Sequence, residues 1–368
     1  MSNLSITVPK AISNGWPTWH SHKDGPGSSC QFTVRLAQQL MGEINKPGFA
    51  IDPAKIIHEV CKESQRGGPS VIEDVWQQLE DSLAMVVYGS NFIESAGTSY
   101  PITIYLCREV FRGKQVRVEI DENYENFKAH VEALVQTGRR SDLADVIQSR
   151  KDVIQHAKAL NYMIDRIILE NSPWSEAHIL EAHRILCEEM DSEEVTPGRY
   201  RTGAVRVLYE KPGDKEKGKK SKAPPCMHAK AVPKYMTAMV DQLNKDILRA
   251  EESGIIDPYT LAAHYHHQFV NIHPFWDGNG RMSRVILNIL LLKYAGHVAC
   301  IGCSQPEKDE YLDIVGRGAQ QFYKEDMEID FEDHTGHKET AYRVLAKSKS
   351  NLERLWSCVN GRKIPSNP

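Results

Sequence analysis

Residues 272–284 read Ile-His-Pro-Phe-Trp-Asp-Gly-Asn-Gly-Arg-Met-Ser-Arg, a polar, glycine-rich loop between two strongly helical patterns. Its residue types point at phosphate. Gly278, Asn279 and Gly280 tolerate tight or left-handed backbone, so successive N–H groups can curl into an anion nest. A helix opening near Arg281 would bring its unpaired N–H groups and the positive end of its dipole to the same place. Arg281 and Arg284 fall three residues apart and rise from one side of that first turn, where planar guanidinium forks can grip phosphate oxygens. Asp277 is suited to hold Mg2+ against those phosphates, because that ion keeps most of its water and takes only one or two protein carboxylates. His273 is left as the general base, taking the proton of an incoming hydroxyl during in-line displacement at phosphorus.

Singly, each feature is ordinary: a Gly-x-Gly makes turns, and a histidine near a helix end is usually a cap or a core residue. Together, a base, a carboxylate, a double-glycine nest and two arginines within twelve residues serve one reaction. Imidazole and carboxylate also bind zinc, so His264 and His267 with His273 and Asp277 form a rival metallohydrolase reading. Such a site has no need of the Gly-Asn-Gly-Arg nest, and helix packing accounts for His264, His266 and His267.

The elements that must hold this loop are mostly helices. Ile72, Val75, Trp76, Leu79, Leu83, Val86 and Val87 recur at helical spacing, with Gly89 loosening the chain before Ser90 to Glu94. Further helices are predicted over 123–136, 141–170, 175–190, 231–251, 258–271, 281–294, 307–323 and 338–359. The stretch 198–208 alternates like a strand, and a polar, lysine-rich insert carries it to Ala223-Pro-Pro225, as a hairpin would. Lys211, Lys215, Lys217, Lys219, Lys220 and Lys222 alternate with acids and glycines there and read as a solvated loop rather than a docking surface. Residues 1–68 are rich in Gly, Pro, Ser and His, with amphipathic stretches only around 33–40 and 53–62. The fold class is therefore mainly α with one short β element.

With 368 residues and 41% hydrophobic content the chain can build a large core without staples. A formal charge of −4 gives no basic field for nucleic acid. Eight cysteines lie scattered, and the one CxxC, Cys300 and Cys303, has no second pair at ligand spacing, so reduced thiols of an intracellular protein fit best. The first residues lack the pattern of a signal peptide and no apolar run spans a bilayer, so the expected location is cytoplasmic or nuclear, with no membrane partner.

The segment from His273 to Arg284 resembles the Fic-family signature: HPF, any residue, Asp or Glu, GNGR, any two residues, Arg. Every defined position matches. The resemblance spans roughly residues 72–322 and implies a Fic-type helical core with a short β-hairpin flap that aligns the target protein's backbone beside the base. Four divisions are expected: an N-terminal extension over 1–70; a helical region over 71–140 with an inhibitory helix at about 72–97; the catalytic core over 141–324 with its flap at 199–225; and a C-terminal helical extension over 325–368. It further implies His273 as base, Asp277 on the metal, Gly278, Asn279 and Gly280 as the anion hole, and Arg281 and Arg284 on the distal phosphates, with ATP as substrate and Mg2+ as cofactor.

Ser90-Asn-Phe-Ile-Glu94-Ser95 resembles the inhibitory motif of Fic proteins: Ser or Thr, any three residues, Glu, then Gly or Asn. The sixth position departs, being Ser95, with Gly97 two residues later. A Glu94 carboxylate on Arg284 would fill the arginine's fork and crowd the γ-phosphate. A closed-state advantage of roughly 3 kcal/mol leaves about one molecule in a hundred competent. The resulting expectation is an autoinhibited protein adenylyltransferase that moves AMP onto a Ser, Thr or Tyr hydroxyl of a protein target, the chain itself included among the candidates, with a homodimer as the other expected association. The alternatives are an enzyme that removes AMP, with Glu94 orienting water, or does both, and a nucleotide-sensing binding module without transfer.

Overall fold

A helix that is buried on every side has to be enclosed by others. Residues Asn279–Ala295 form such a helix, with every residue but Gly280 buried. In the computed structural model, residues 2–14, 19, 20, 29, 30, 32–37, 40, 62, 63, 66, 68–188, 196–205, 226–326 and 333–359 are described. The described helices in chain order are α1 (Leu4–Ser13), α2 (Gly68–Ile93), α3 (Tyr100–Phe111), α4 (Phe127–Gln136), α5 (Leu143–Met163), α6 (Glu176–Leu186), α7 (Val232–Ser253), α8 (Pro258–Ile272), α9 (Asn279–Ala295), α10 (Gln305–Glu325) and α11 (Lys338–Val359). The strands are two-residue pieces: β1 (Trp19–His20) pairs antiparallel with β2 (Ser29–Cys30), and β3 (Thr33–Val34) pairs parallel with β4 (Ile255–Ile256).

The central α9 packs against α8, α5 and α2, and α11 closes over α8 and α2. Trp76, Leu79, Leu83, Val86 and Val87 of α2 enter the same core as Val285, Leu287, Ile289 and Leu291 of α9, each such side chain contributing about 1.5–3 kcal/mol of burial. A small second core of Ile120, Leu134 and Val146 seats α4 on the start of α5. Asp142 opens α5 with a reciprocal capping box to Asp145, and Ser175 opens α6 by accepting from the His178 N–H. No helix among the described residues is long and apolar enough to cross a membrane.

Each helix predicted from periodicity is present, with three differences worth a physical account. The predicted 141–170 helix is α-helical only to Met163 and widens into a π-helix over Ile164–Leu169. Helices α1 and α3 escape the pattern reading because each carries a proline, Pro9 inside α1 and Pro101 in the first turn of α3. Thr33–Val34 is not helical: the N–H groups of Thr33, Arg35 and Ala37 are taken by Gly254 O, Ile256 O and the Asp257 carboxylate, which pin this N-terminal segment to the α7–α8 junction. Of the predicted hairpin over 199–225, residues 206–225 lie outside the described residues, as do Lys211 to Lys222; residues 199–205 are irregular. The amphipathic 53–62 stretch likewise lies outside them, except Lys62.

The histidines before the loop are packing groups. His264 Nδ1 lies 3.3 Å from His337 Nδ1 and its Nε2 receives Gln268 Nε2 at 2.6 Å; His266 Nε2 meets Tyr311 Oη at 2.8 Å. Burial pushes His264 and His266 down to about 3, and His337 and His297 down to about 4. These rings are neutral in the folded chain, whereas the unfolded chain protonates them near 6.5. The stability they allow is complete above pH 6.5 and is lost as pH falls towards 4, by about 1.4 kcal/mol per histidine per pH unit. Melting followed by circular dichroism should be level between pH 7 and 8 and fall by several degrees per unit below 6.5; a level melting temperature down to pH 5 contradicts this.

Candidate functional site

The site begins where α8 stops. Asp257 caps its first turn by accepting from the Tyr259 and Thr260 N–H groups, each at 3.1 Å, and Pro258 follows the cap. At the other end His273 takes a left-handed conformation, φ +52, and donates its N–H to Phe269 O. A non-glycine there costs roughly 1–2 kcal/mol, and it turns the chain sharply into Pro274, which cannot continue the helix. The His273 ring directs Nδ1 at Val270 O, 3.3 Å away. Burial, with a smaller push from Arg201, lowers it to about 4, so the ring is neutral near pH 7. A proton held on Nδ1 leaves the lone pair on Nε2, as a general base requires.

The loop is rigid by construction. Asn279 Oδ1 accepts from the Phe275 N–H at 2.9 Å while its Nδ2 donates to Phe275 O at 2.8 Å. The Asn279 side chain is therefore a brace across the loop, and its backbone N–H, at the start of α9, is what remains for an anion. His183 of α6 stacks on Phe275 with centroids 3.6 Å apart, accepts the Gly198 N–H on Nδ1 and reaches Asp277 O with Nε2. Gly278, φ +75, forms the cap of α9; a Cβ there would lie 3.0 Å from Cys187 Sγ. The first N–H groups of α9 have no partner inside the helix and carry the positive end of its dipole.

Three charged side chains frame that helix start. Arg281, buried, lies 3.2 Å from Asp277 Oδ2, while Asp277 itself is half exposed and also receives the Gly278 N–H on Oδ1. A single half-exposed carboxylate beside unpaired N–H groups fits Mg2+ brought by a polyphosphate better than a dedicated cage. Arg284, one turn further on and buried, donates Nε to Ser90 Oγ at 2.8 Å, Nη2 to Ser90 O at 3.0 Å and to Glu94 Oε1 at 2.5 Å, and Nη1 to Tyr311 Oη at 3.3 Å. The Glu94 carboxylate overlies Gly280 so closely that a Cβ on Gly280 would collide with Oε1.

The turn that presents Glu94 is a Schellman motif. Ala96 N–H bonds Asn91 O at 2.9 Å and Ser95 N–H bonds Phe92 O at 3.1 Å, which puts Ser95 at the left-handed position with φ +55. Glycine and asparagine are the residues that adopt this conformation most cheaply, so the sixth motif position has a backbone reason, and Ser95 meets the requirement at a cost. Gly97 then donates to Asp152 Oδ2 at 3.0 Å and accepts Arg139 Nη1 at 2.6 Å.

Arg201 did not stand out in the sequence, since one arginine in an alternating stretch carries no signal. It is among the most deeply buried side chains, and donates to His273 O at 2.6 Å, Gly203 O at 2.8 Å and, closely, to Met227 O. Its own N–H bonds Pro274 O at 2.9 Å. Residues on both sides of the 206–225 segment are thereby fastened to the backbone of His273. His183 was missed for the same reason, although its place eight residues into a predicted helix facing the loop is explicable afterwards.

Residues 173–291 match the Fic/DOC family. A protein adenylyltransferase Fic of Nematostella vectensis is 29% identical over 174 residues, 47% of this chain and 36% of that protein. A Fido domain-containing protein of Dictyostelium discoideum is 36% identical over 98 residues, 27% of this chain and 64% of its own. The chain thus spans less than two thirds of either relative's length. A Fic domain containing signalling protein of Bacteroides thetaiotaomicron superposes with a TM-score of 0.57 at 19% identity, covering 84% of this chain and 100% of that one, a likeness of fold.

Replacing Arg201 by methionine keeps much of the volume and strands the carbonyls of His273, Gly203 and Met227. Urea unfolding should show a loss of roughly 3 kcal/mol, as buried acceptors without donors cost about 1–3 kcal/mol each when unrelieved. A change below about 1 kcal/mol would mean that the strut does not bear on the loop.

Proposed function

We propose that this chain, which carries a domain of the Fic/DOC family, is a protein adenylyltransferase that moves AMP from ATP to a Ser, Thr or Tyr hydroxyl of a target protein. The observation that carries the reading is the neutral His273 ring, its Nδ1 on Val270 O and its backbone carbonyl held by Arg201, within electrostatic reach of Asp277 and Glu94 and beside a helix start bearing Arg281 and Arg284. His273 Nε2 takes the hydroxyl proton as the oxygen attacks the α-phosphorus of ATP; the new O–P bond forms, the bond to the β-phosphate oxygen breaks, and pyrophosphate departs. Bound through Asp277, Mg2+ would neutralise charge on the phosphate oxygens. The N–H groups of Asn279 and Gly280 receive oxygens that gain charge, and the guanidinium groups of Arg281 and Arg284 hold the distal phosphates.

Glu94 is then the inhibitor. With its carboxylate 2.5 Å from Arg284 Nη2 and over Gly280, the place of a γ-phosphate on that guanidinium is taken. Glu94 remains over a third exposed and acts electrostatically on the His273 ring, which also suits it to orient a water for removing AMP from a modified target. Transfer is the first reading and removal the second, both through His273.

The test is incubation of wild-type, Glu94→Gly and Glu94→Gly/His273→Ala proteins with Mg2+ and ATP labelled at the α-phosphate. Label on protein should rise at least about tenfold in Glu94→Gly, since a closed state favoured by some 3 kcal/mol is released, and should vanish in the double variant. ATP bound without label in all three would overturn transfer and favour a nucleotide-sensing module.

A further inference from the structure

The inhibitory turn carries a residue ill suited to it, and a second helix reaches over to hold it. Ser95 occupies the left-handed position of the Schellman turn, φ +55, where a Cβ is disfavoured. Lys308, in the first turn of α10, places Nζ 3.2 Å from Phe92 O and 3.0 Å from Ser95 Oγ, with the ammonium 5.7 Å from the centre of the Phe92 ring. Phe92 O already takes the Ser95 N–H of the Schellman turn, so Lys308 adds a second donor to that carbonyl and a cation at the negative end of the α2 dipole. The same lysine is unfavourable for its own helix, whose N-terminal turn repels a cation. The contact therefore serves α2, not α10.

Neighbouring residues of α10 fix the geometry. Glu307 accepts from the Cys303 N–H at 3.0 Å and pairs closely with Lys347 of α11, anchoring the first turn of α10. Tyr311, one turn beyond Lys308, meets Arg284 Nη1 at 3.3 Å. A single turn of α10 thus touches both the segment presenting Glu94 and the arginine Glu94 engages.

We propose that Lys308 is a positioning residue for autoinhibition: by bridging Phe92 O and Ser95 Oγ it holds the serine-bearing turn closed and so keeps Glu94 on Arg284. The inference rests on the reading of Glu94 as inhibitor. It predicts that the lysine becomes dispensable when the turn is given the residue it prefers, glycine.

The experiment compares Lys308→Met, Lys308→Met/Ser95→Gly, Glu94→Gly, Lys308→Met/Glu94→Gly and the wild type, by label transfer from ATP and by amide hydrogen exchange over residues 92–97, with Lys308→Gln as a second, polar replacement. Lys308→Met should label protein roughly threefold to tenfold faster than wild type and exchange faster over 92–97, as a weakened turn shifts the closed–open balance. Adding Ser95→Gly should restore low labelling and slow exchange, which a generally destabilised variant would not do. In the Glu94→Gly background Lys308→Met should add nothing. Wild-type labelling and wild-type exchange in both Lys308 variants, beside a Glu94→Gly protein that labels strongly, would overturn the latch and leave the inhibitor standing. If Glu94→Gly stays silent the functional reading fails instead, and exchange over 92–97 alone decides the latch: faster in Lys308→Met upholds it, unchanged overturns it.

Discussion

A guanidinium keeps its charge at any ordinary pH, so burying one obliges a fold to surround it with acceptors. At Arg284 those acceptors come from two other helices and the turn after one of them: Ser90 Oγ and O from α2, Tyr311 Oη from α10, and the carboxylate of Glu94 just beyond the end of α2. Glu94 alone among these partners is charged, and it stands on a turn rather than inside a helix. Three of the four acceptors are neutral groups fixed within helices, so the carboxylate on the turn is the partner that another anion could replace. In the proposed reaction a phosphate takes its place, and the competition of two anions for one fork is the proposed control.

The remaining architecture keeps that fork in register with His273. His273 and Arg284 sit on either side of one loop, and the loop is held by side chains that do no chemistry: Asn279 bridging to Phe275, His183 stacked on Phe275, and Arg201 donating to His273 O. Strain at His273, with its positive φ, is tolerated because α8 is capped at its start and fixed along its length by buried rings. Two left-handed non-glycine residues, His273 and Ser95, thus lie at the ends of the two helices that carry the proposed base and the proposed inhibitor, and each is stabilised by contacts from elsewhere in the chain.

Much of this was legible in the sequence because local pattern and local chemistry coincide there. The apolar runs of α2, α5 and α9 give their helices away, and the spacing of His273, Asp277, Arg281 and Arg284 is short enough to read along the chain. What stayed hidden depends on contacts far apart in sequence. Lys308 is separated from Ser95 by 213 positions and Arg201 from His273 by 72, and no periodicity marks either residue. Helices α1 and α3 were obscured by their prolines, and the departure at Ser95 found its reason only in the Schellman geometry and the lysine above it.

The claim on which the account turns is that Glu94 and the γ-phosphate of ATP occupy the same guanidinium. Crystal structures of the wild-type and Glu94→Gly proteins, each soaked with Mg2+ and a non-hydrolysable ATP analogue, address it directly. The account predicts γ-phosphate oxygens within hydrogen-bond distance of Arg284 only in the variant, with the α-phosphorus in line with His273 Nε2. A γ-phosphate seated on Arg284 in the wild type while Glu94 keeps its own contact would contradict it.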